Sequence, residues 1–377
     1  IRRDLHQHPE LSFQEVRTAG IAAKEMEALG FSVRTGIGRT GVIAELDNGG
    51  GPLIALRADM DALPIKEANT HEFVSQNAGV MHACGHDGHV AGLIGAARIL
   101  AEERDAGRLP TGTVRFIFQP SEEATDDEGK SGAMRMVDEG VMEGVDAVVG
   151  LHLGAPLPSG KLFFATGPIM AGAAEVHIEV HGKSSHAGMP EAGVDALVLA
   201  ARGVVAAQDA APKNRSPVED GVISFGRIAG GTATNVLADH VVIDGTMRFF
   251  SKETKERLHR RLDEAFGPLE DSGAEVTIQL GTGYLPVIND ERVTEWVRAA
   301  AIDLVGEDDV LPIQPMTLAE DFSFLAHEAP GTFFWLGAAL PRPRMHHEAD
   351  FDIDESALPL GAATLAAGAI RLLEEMG

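Results

Sequence analysis

The feature that most constrains the fold of this chain is an alternation of short apolar runs with helical segments. Apolar runs at 41–46, 53–58, 114–118 and 147–151 are separated by glycine-rich or polar stretches, and helical apolar spacing runs through 15–29. Such runs suit strands buried on both faces, which is typical of parallel strands covered by helices. The pattern predicts an α/β protein with a mixed, mostly parallel sheet flanked by helices.

The pattern changes between residues 173 and 281. Apolar and polar residues alternate through 176–180, which indicates a strand with one exposed face. The elements predicted to follow are a helix, two strands, a charged helix and a strand, at 194–208, 222–228, 239–249, 252–266 and 274–280. This β-α-β-β-α-β order is that of a ferredoxin-like α+β domain. We therefore predict a discontinuous domain, 1–172 and 282–377, interrupted by a smaller domain at 173–281.

Composition excludes several classes of partner. The formal net charge of -26 argues against nucleic acid and anionic membranes, because phosphate contacts need a basic surface. No apolar run approaches the roughly 18 residues of a membrane span. The single cysteine, Cys84, excludes an intramolecular disulfide and predicts a reducing, cytoplasmic compartment. The chain begins at Ile1 rather than at a methionine, which leaves open a signal peptide before it.

Residues able to bind metal are densest at 81–89, MHACGHDGH, directly before a predicted helix. Cys84 and His86 are two positions apart, so in an extended segment their side chains would point the same way. The N-terminus of the following helix would favour the Cys84 thiolate, the form that binds metal. Thiolate and imidazole suit zinc and similar divalent ions. A buried cysteine beside hydrogen-bonded histidines is the alternative, but so dense a cluster favours a metal site.

Two adjacent glutamates follow the apolar run 114–118. Glu122 and Glu123 come directly after Pro120 and Ser121, and ligands of open α/β sheets gather at the carboxyl ends of strands. Because adjacent side chains diverge, one glutamate can bind a metal while the other faces the attacking water as general base. The alternative is a solvated acidic loop, since further acids follow.

Later histidines and an early aspartate occupy similar positions. His152 ends the run 147–151, and His346 and His347 lie between a strand at 332–336 and a final helix at 355–376. A surface loop position is the alternative for each histidine. Asp59 ends the run 53–58 and could orient a ligating imidazole or merely pair with Arg57. The candidate ligands are therefore Cys84, His86, Glu123, His152 and one of the two late histidines.

These motifs resemble those of peptidase family M20, in its aminoacylase, hippurate hydrolase, carboxypeptidase and auxin-conjugate hydrolase branch. The HACGHD block is highly specific to that branch, and the other motifs support it. The matching stretches are RDLHQHPEL at 3–11, RADMDALP at 57–64, HACGHDGH at 82–89, QPSEE at 119–123, SHAG at 185–188, AEDF at 319–322 and His347 with Phe351-Asp352.

The resemblance implies a zinc-peptidase-like catalytic domain with two divalent metal ions, zinc or manganese, with cobalt or nickel as further options. Cys84 would bridge the ions. His347 is preferred to His346 because the family's ligand lies four residues before the aromatic residue matched by Phe351. The implied ligand set is Cys84, His86, Glu123, His152 and His347. Glu122 would be the general acid/base and Asp59 the acid supporting the metal site.

The inserted domain resembles the family's lid and dimerisation domain, which implies a homodimer. His186 would stabilise the oxyanion, in its own cleft or in that of the partner subunit. Asn235 is a candidate for binding the substrate carboxylate, and a simple turn residue is the equal alternative.

We therefore expect a metal-dependent amidohydrolase that cleaves N-acetyl, N-benzoyl or similar N-acyl amino acids with a metal-activated water. A metallo-carboxypeptidase or dipeptidase using the same site is the first alternative. A non-catalytic binding or metal-storage protein is disfavoured, because every ligand position and the base are filled. The motifs do not mark the pocket residues that choose the acyl group and amino acid.

Overall fold

The computed structural model describes residues 1–211 and 216–377, which divide into two units. The first comprises Ile1–Ile169, Ile288–Gln314 and Asp321–Gly377, and the second comprises Met170–Val287 and Pro315–Glu320. The units change at 169/170 and 287/288, where the sequence predicts 172/173 and 281/282. The assignment of Pro315–Glu320 to the second unit has no counterpart in the sequence-based division.

Strands and helices are numbered here in chain order. The strands of the sheet of the first unit are β1 (Ser32–Ile37), β2 (Gly41–Asp47), β3 (Leu53–Asp59), β4 (Thr113–Gln119), β5 (Ala147–Gly154), β6 (Leu162–Phe164), β13 (Val310–Pro312) and β14 (Gly331–Gly337). The short strands β7 (Gly167–Met170) and β12 (Val287–Asn289) lie outside it. Its helices are α1 (Arg2–Gln7), α2 (Val16–Ala28), α3 (His86–Asp105), α4 (Gly132–Asp138), α8 (Glu291–Val305), α9 (Phe322–Glu328) and α10 (Leu358–Met376).

The strand order in this sheet is β1-β2-β4-β3-β5-β14-β6-β13. The central strands β4, β3, β5 and β14 are parallel neighbours, whereas β2 joins β4 and β6 joins β14 in antiparallel fashion. The structure thus confirms the predicted mixed, mostly parallel sheet. Parallel neighbours place their carboxyl ends at one edge, where Glu123 follows β4 and His152 lies near the end of β5.

Helices cover both faces of the sheet. Leu56 of β3 and Phe116 of β4 belong to a core that also contains Val90 and Leu93 of α3. Ile117 points to the opposite face, where it is equally buried and α4 packs on β4. Burial on both faces explains why these strands are continuous apolar runs in the sequence.

A buried arginine connects the carboxyl ends of the central strands. Arg57 donates to Asp59 Oδ2 at 2.7 Å, to Gln119 Oε1 at 2.8 Å and to Asp321 Oδ1 at 2.9 Å. Asp321 directly precedes α9, so one guanidinium links β3, β4 and α9. Because a buried charge is costly unless it is paired, these partners fix where the three elements meet.

The final helix has the composition of a membrane span but the setting of a core helix. Within the described residues, Glu355–Met376 is the one helical segment long and apolar enough to cross a membrane. Its sequence contains polar and charged residues, so it is not an uninterrupted apolar run. Its most apolar window is 56% buried inside the fold, and α10 packs against α3 and α8. Packing in the protein core therefore accounts for its apolar residues.

The second unit contains an antiparallel four-stranded sheet in the order β11-β8-β10-β9. Its elements are β8 (Gly172–His181), α5 (Ala196–Asp209), α6 (Pro217–Asp220), β9 (Val222–Gly230), β10 (His240–Phe249), α7 (Lys252–Phe266) and β11 (Glu275–Leu280). Apart from the extra turn of α6, this is the β-α-β-β-α-β order expected of a ferredoxin-like domain.

One face of this second sheet is packed and the other is open. Val176, Ile178 and Val180 of β8 are buried in a core with Leu199 of α5 and Leu262 of α7. The polar residues that alternate with them on β8 are partly exposed. The alternation in the sequence therefore reflects a sheet covered by helices on one side. The role of this unit as a lid stays a prediction.

Candidate metal centre

Asp61, just beyond the end of β3, orients the imidazole of His86. Nδ1 of His86 lies 2.9 Å from the backbone carbonyl oxygen of Asp61 and 3.1 Å from its Oδ1, so Nδ1 carries the proton. The other nitrogen, Nε2, is buried and has no hydrogen-bond partner among the described residues. It lies 3.8 Å from Asp59 Oδ2 and 4.0 Å from Glu123 Oε1. A cation at this nitrogen would satisfy it.

The charges around His86 favour a cation. Burial lowers the pKa of His86, but the carboxylates of Asp59, Asp61 and Glu123 outweigh burial and raise it to about 10. The pocket therefore holds more negative than positive charge at Nε2, and a proton or a metal ion can balance it. An unsatisfied buried nitrogen facing acids is what a metal ligand looks like without its ion.

Cys84 lies beside the imidazole of His152. The sulfur is 3.6 Å from His152 Nε2, and Nδ1 of the same ring donates to the Leu153 carbonyl oxygen at 2.9 Å. Burial and the neighbouring histidines lower the pKa of His152 well below its usual value, so the ring is neutral. A neutral imidazole with an unprotonated Nε2 is the form that binds metal.

The two remaining predicted ligands, Glu123 and His347, lie close to each other and to Cys84. Glu123 Oε1 lies 3.0 Å from His347 Nε2, and the Glu123 backbone N–H donates to Asp61 Oδ2 at 3.0 Å. Ligand atoms of Cys84, His86 and His152 lie within 4.8 Å of one another, as do those of Cys84, Glu123 and His347. The structure therefore brings the five residues into two groups that share Cys84. Thiolate, imidazole and carboxylate donors in such groups suit zinc and related divalent ions.

The turn at Gly85 corrects two expectations about Cys84. Helix α3 begins at His86 after Gly85 with φ 95°, so Cys84 and His86 do not share an extended segment, and this turn brings them together. The expected stabilisation of the thiolate by the helix is outweighed by the surrounding groups. Burial, followed by the charges of Glu123, Glu122 and Asp59, raises the pKa of the Cys84 thiol well above its usual value. A bound cation would favour the thiolate.

The hydrogen bonds of His346 distinguish it from His347. Nε2 of His346 accepts from the Ala155 backbone N–H at 3.3 Å, so the proton is on Nδ1, which lies 3.8 Å from the Cys84 sulfur. Burial and nearby histidines lower the pKa of His346 to about 3, which keeps it neutral. His346 thus presents an N–H donor to the sulfur, and this favours His347 as the ligand.

Asp59 accepts hydrogen bonds from His89 and Arg57, which are not among the predicted ligands, so its support of the metal site stays a prediction. Its Oδ1 accepts from His89 Nδ1 at 2.6 Å and its Oδ2 accepts from Arg57 at 2.7 Å. His89 Nε2 accepts from the Leu153 backbone N–H at 2.9 Å, so both ring nitrogens are occupied. The sequence interpretation overlooked Asp61, although its position two residues after Asp59 places both acids on one side of an extended segment.

Glu15 holds the turn that carries the two glutamates. Ser121 has a left-handed φ of 45°, and its backbone N–H donates to Glu15 Oε1 at 2.8 Å. Glu15 Oε2 accepts from the Thr40 hydroxyl at 2.5 Å. Glu122 follows this turn and is buried, and its charge is one of those that raise the pKa of Cys84. The predicted base is therefore buried, and its charge acts on the shared sulfur.

His186 and Asn235 lie together in the second unit. The Ala187 backbone N–H donates to the Asn235 carbonyl oxygen at 3.0 Å. The side chains of His186 and Asn235 are both exposed. Nδ1 of His186 accepts from the Gly188 N–H at 3.0 Å, which leaves the proton on Nε2. His186 thus has the tautomer that a hydrogen-bond donor needs.

We expect Asp61→Ala to weaken zinc binding about 10–100-fold, because His86 and Glu123 lose the carboxylate that orients them. Competition with a chromogenic chelator measures the affinity. Asp47→Ala, at an exposed aspartate that ends β2, is the matched control. An unchanged affinity in Asp61→Ala would show that the contact does not support metal binding.

Glu15 gives a second prediction, which concerns pH. Burial, with the nearby Asp61 charge, raises the pKa of Glu15 from 4.5 to about 7. The folded chain therefore binds this proton more tightly than the unfolded chain, and folding stability falls as pH rises through that interval. Glu15→Gln removes the titration, so its stability relative to wild type should increase by up to ~3 kcal/mol between pH ~5 and ~8. Urea unfolding checks this, with exposed Glu27→Gln as control. A pH-independent difference would refute it.

Comparison with known proteins supports the same interpretation. The profile of Peptidase family M20/M25/M40 matches residues 55–371. The chain is 37% identical over 379 residues to N-acetyl-L-cysteine deacetylase of Bacillus subtilis, covering 99% of this chain and 88% of that protein. It is 36% identical over 379 residues to thermostable carboxypeptidase 2 of Saccharolobus solfataricus, covering 98% and 94%.

A solved structure agrees as well. The YXEP protein of Bacillus subtilis, described as a dinuclear metal-binding peptidase from the M20 family, has a TM-score of 0.86 and 34% identity to this chain. The match covers 99% of this chain and 96% of that one. The family resemblance seen in the motifs is thereby confirmed. The chain belongs to peptidase family M20/M25/M40 and is a metal-dependent amidohydrolase or peptidase.

Proposed function

We propose that the chain hydrolyses the amide bond of N-acyl amino acids with the help of two divalent ions, which Cys84 and the four other candidate ligands would hold. The observation that carries this proposal is the sharing of Cys84 between two groups of ligand atoms. The buried Glu122 follows the same turn as the candidate ligand Glu123. The deacetylase relative, whose name specifies an N-acetyl amino acid, supports this substrate class.

In this proposal, Cys84, His86, Glu123, His152 and His347 hold the ions. When bound, two divalent ions supply Lewis-acid chemistry for the attack of water on an amide carbonyl. Glu122 removes a proton from the attacking water and returns it to the leaving amine nitrogen. Asp61 and Asp59 keep His86 and His89 in place while this happens.

The roles of the second unit are part of the same proposal. His186 would donate a hydrogen bond from its Nε2–H to the oxyanion that forms from the carbonyl. Its Nδ1 accepts from the Gly188 N–H, so the proton is already on Nε2. The Asn235 side-chain amide would donate to the substrate carboxylate. A homodimer formed through this unit and a cytoplasmic location remain predictions from the sequence.

A carboxypeptidase or dipeptidase activity is the second candidate, because a relative of similar identity is a carboxypeptidase. We expect N-acetyl and N-benzoyl amino acids to be cleaved with kcat/KM at least ~10-fold above that for matched dipeptides, since a 10-fold difference needs only ~1.4 kcal/mol of transition-state binding. A liberated-amine assay with zinc, manganese and cobalt supplied separately measures this. Faster cleavage of dipeptides would favour the peptidase, and no cleavage of either substrate would overturn both.

Glu122→Gln tests the proposed base. Loss of the proton acceptor should lower kcat by roughly 10²–10⁴-fold, while the metal content stays at the wild-type level. Glu128→Gln, in the exposed part of the same loop, is the matched control. Wild-type turnover in Glu122→Gln would remove Glu122 from this role.

A further inference from the structure

A second group of potential ligands lies in the first unit and shares none of the five residues of the metal centre. It consists of His6 on α1 with Glu67 and His71 from the irregular segment between β3 and α3. One ligand atom from each lies within 4.8 Å of the others. We propose that these three side chains bind a divalent cation of the zinc type.

The distances fit a single ion. Glu67 Oε1 lies 3.2 Å from His6 Nε2 and 3.4 Å from His71 Nε2. Ligands bonded to zinc at about 2.0–2.1 Å in a tetrahedral arrangement are about 3.3 Å apart. The two imidazole planes are inclined at 66°, so the lone pairs in those planes can converge on one point.

Asp87 orients His6 for this role. His6 Nδ1 lies 2.8 Å from Asp87 Oδ2, which leaves Nε2 to face Glu67 and His71. A carboxylate that accepts from the far nitrogen of a ligating histidine is a common arrangement around zinc. Burial lowers the pKa of His6, but Asp87 and Glu67 raise it to about 9, so this position already attracts positive charge.

The nitrogens of His71 are the strongest sign of a missing partner. Neither ring nitrogen has a hydrogen-bond partner within residues 1–211 and 216–377, although both atoms are buried. Burying an imidazole nitrogen without a partner costs free energy. Phe73 stacks on the ring at 3.8 Å and holds its orientation. A cation on Nε2 would offset the cost.

Another histidine cluster, Glu179 with His181 and His240, fits an ion less well. The His181 and His240 rings stack at 4.4 Å with an angle of 9° between their planes. Nitrogen lone pairs lie in the ring plane, so nearly parallel rings cannot both point at one ion. Both histidines are also partly exposed, and hydrogen bonds to Glu179 explain their positions.

The proposed ion would anchor a segment that touches the metal centre. The Ala68 backbone N–H donates to the Ala349 carbonyl oxygen at 2.8 Å, and the Asn69 amide donates to that of Phe351 at 2.8 Å. Both acceptors follow His347 closely in the chain. Fixing Glu67 and His71 to α1 would therefore hold in place the segment that carries His347.

Zinc counting on the full-length protein tests the proposal. The protein is stripped with a chelator, reloaded with zinc, freed of unbound metal and analysed by mass spectrometry. We expect wild type to hold one more zinc per chain than His71→Gln. His240→Gln is the matched control and should keep the wild-type content. Glu67→Gln should repeat the loss of one ion if His71→Gln folds poorly.

Cobalt separates this site from the metal centre. Cys84 is the single cysteine, so thiolate-to-cobalt absorption reports the metal centre alone. His71→Gln should lose the part of the d–d absorption that one cobalt ion contributes, while the thiolate-to-cobalt band stays at its wild-type intensity. The proposal is overturned if His71→Gln and Glu67→Gln keep the full metal content, or if His240→Gln is the variant that loses the ion. A weakened thiolate band would instead show damage to the metal centre and also overturn it.

Discussion

Two buried carboxylates at the end of β3 hold the candidate site together. Asp59 accepts from His89 and Arg57, and Asp61 accepts from His86 and from the Glu123 backbone. These bonds tie the first turn of α3 and the turn after β4 to one strand. A buried carboxylate is tolerated when its oxygens are paired. The fold therefore sets the positions of the ligands before any ion binds.

The same acids explain why the site suits cations. They raise the pKa of His86, and with burial they raise that of the Cys84 thiol. Burial keeps His152 and His346 neutral. The acids thus favour protons on His86 and on the Cys84 thiol, whereas His152 and His346 are neutral. Metal binding must then displace the thiol proton, which couples ion affinity to the fold.

Much of this arrangement could be predicted because its signals are local. Apolar runs predicted the central strands, alternation predicted the open face of β8, and the HACGHD block predicted the metal centre. The prediction that Cys84 and His86 share an extended segment failed because one glycine turns the backbone between them. Gly85 at φ 95° starts α3 at His86, which no periodicity shows. Asp61 was missed because residue type does not tell which of two acids reaches an imidazole.

The sequence by itself determined the kinds of ligand, the alternation of elements and the family, because residue chemistry and side-chain periodicity are local properties. Only the tertiary structure decided which atoms meet. His347 reaches Glu123 because β14 and β5 are parallel neighbours and the chain after β14 returns to that edge of the sheet. His346 is a donor to sulfur because one backbone N–H, that of Ala155, occupies its other nitrogen. Such contacts join residues far apart in the chain, and only folding sets their distances.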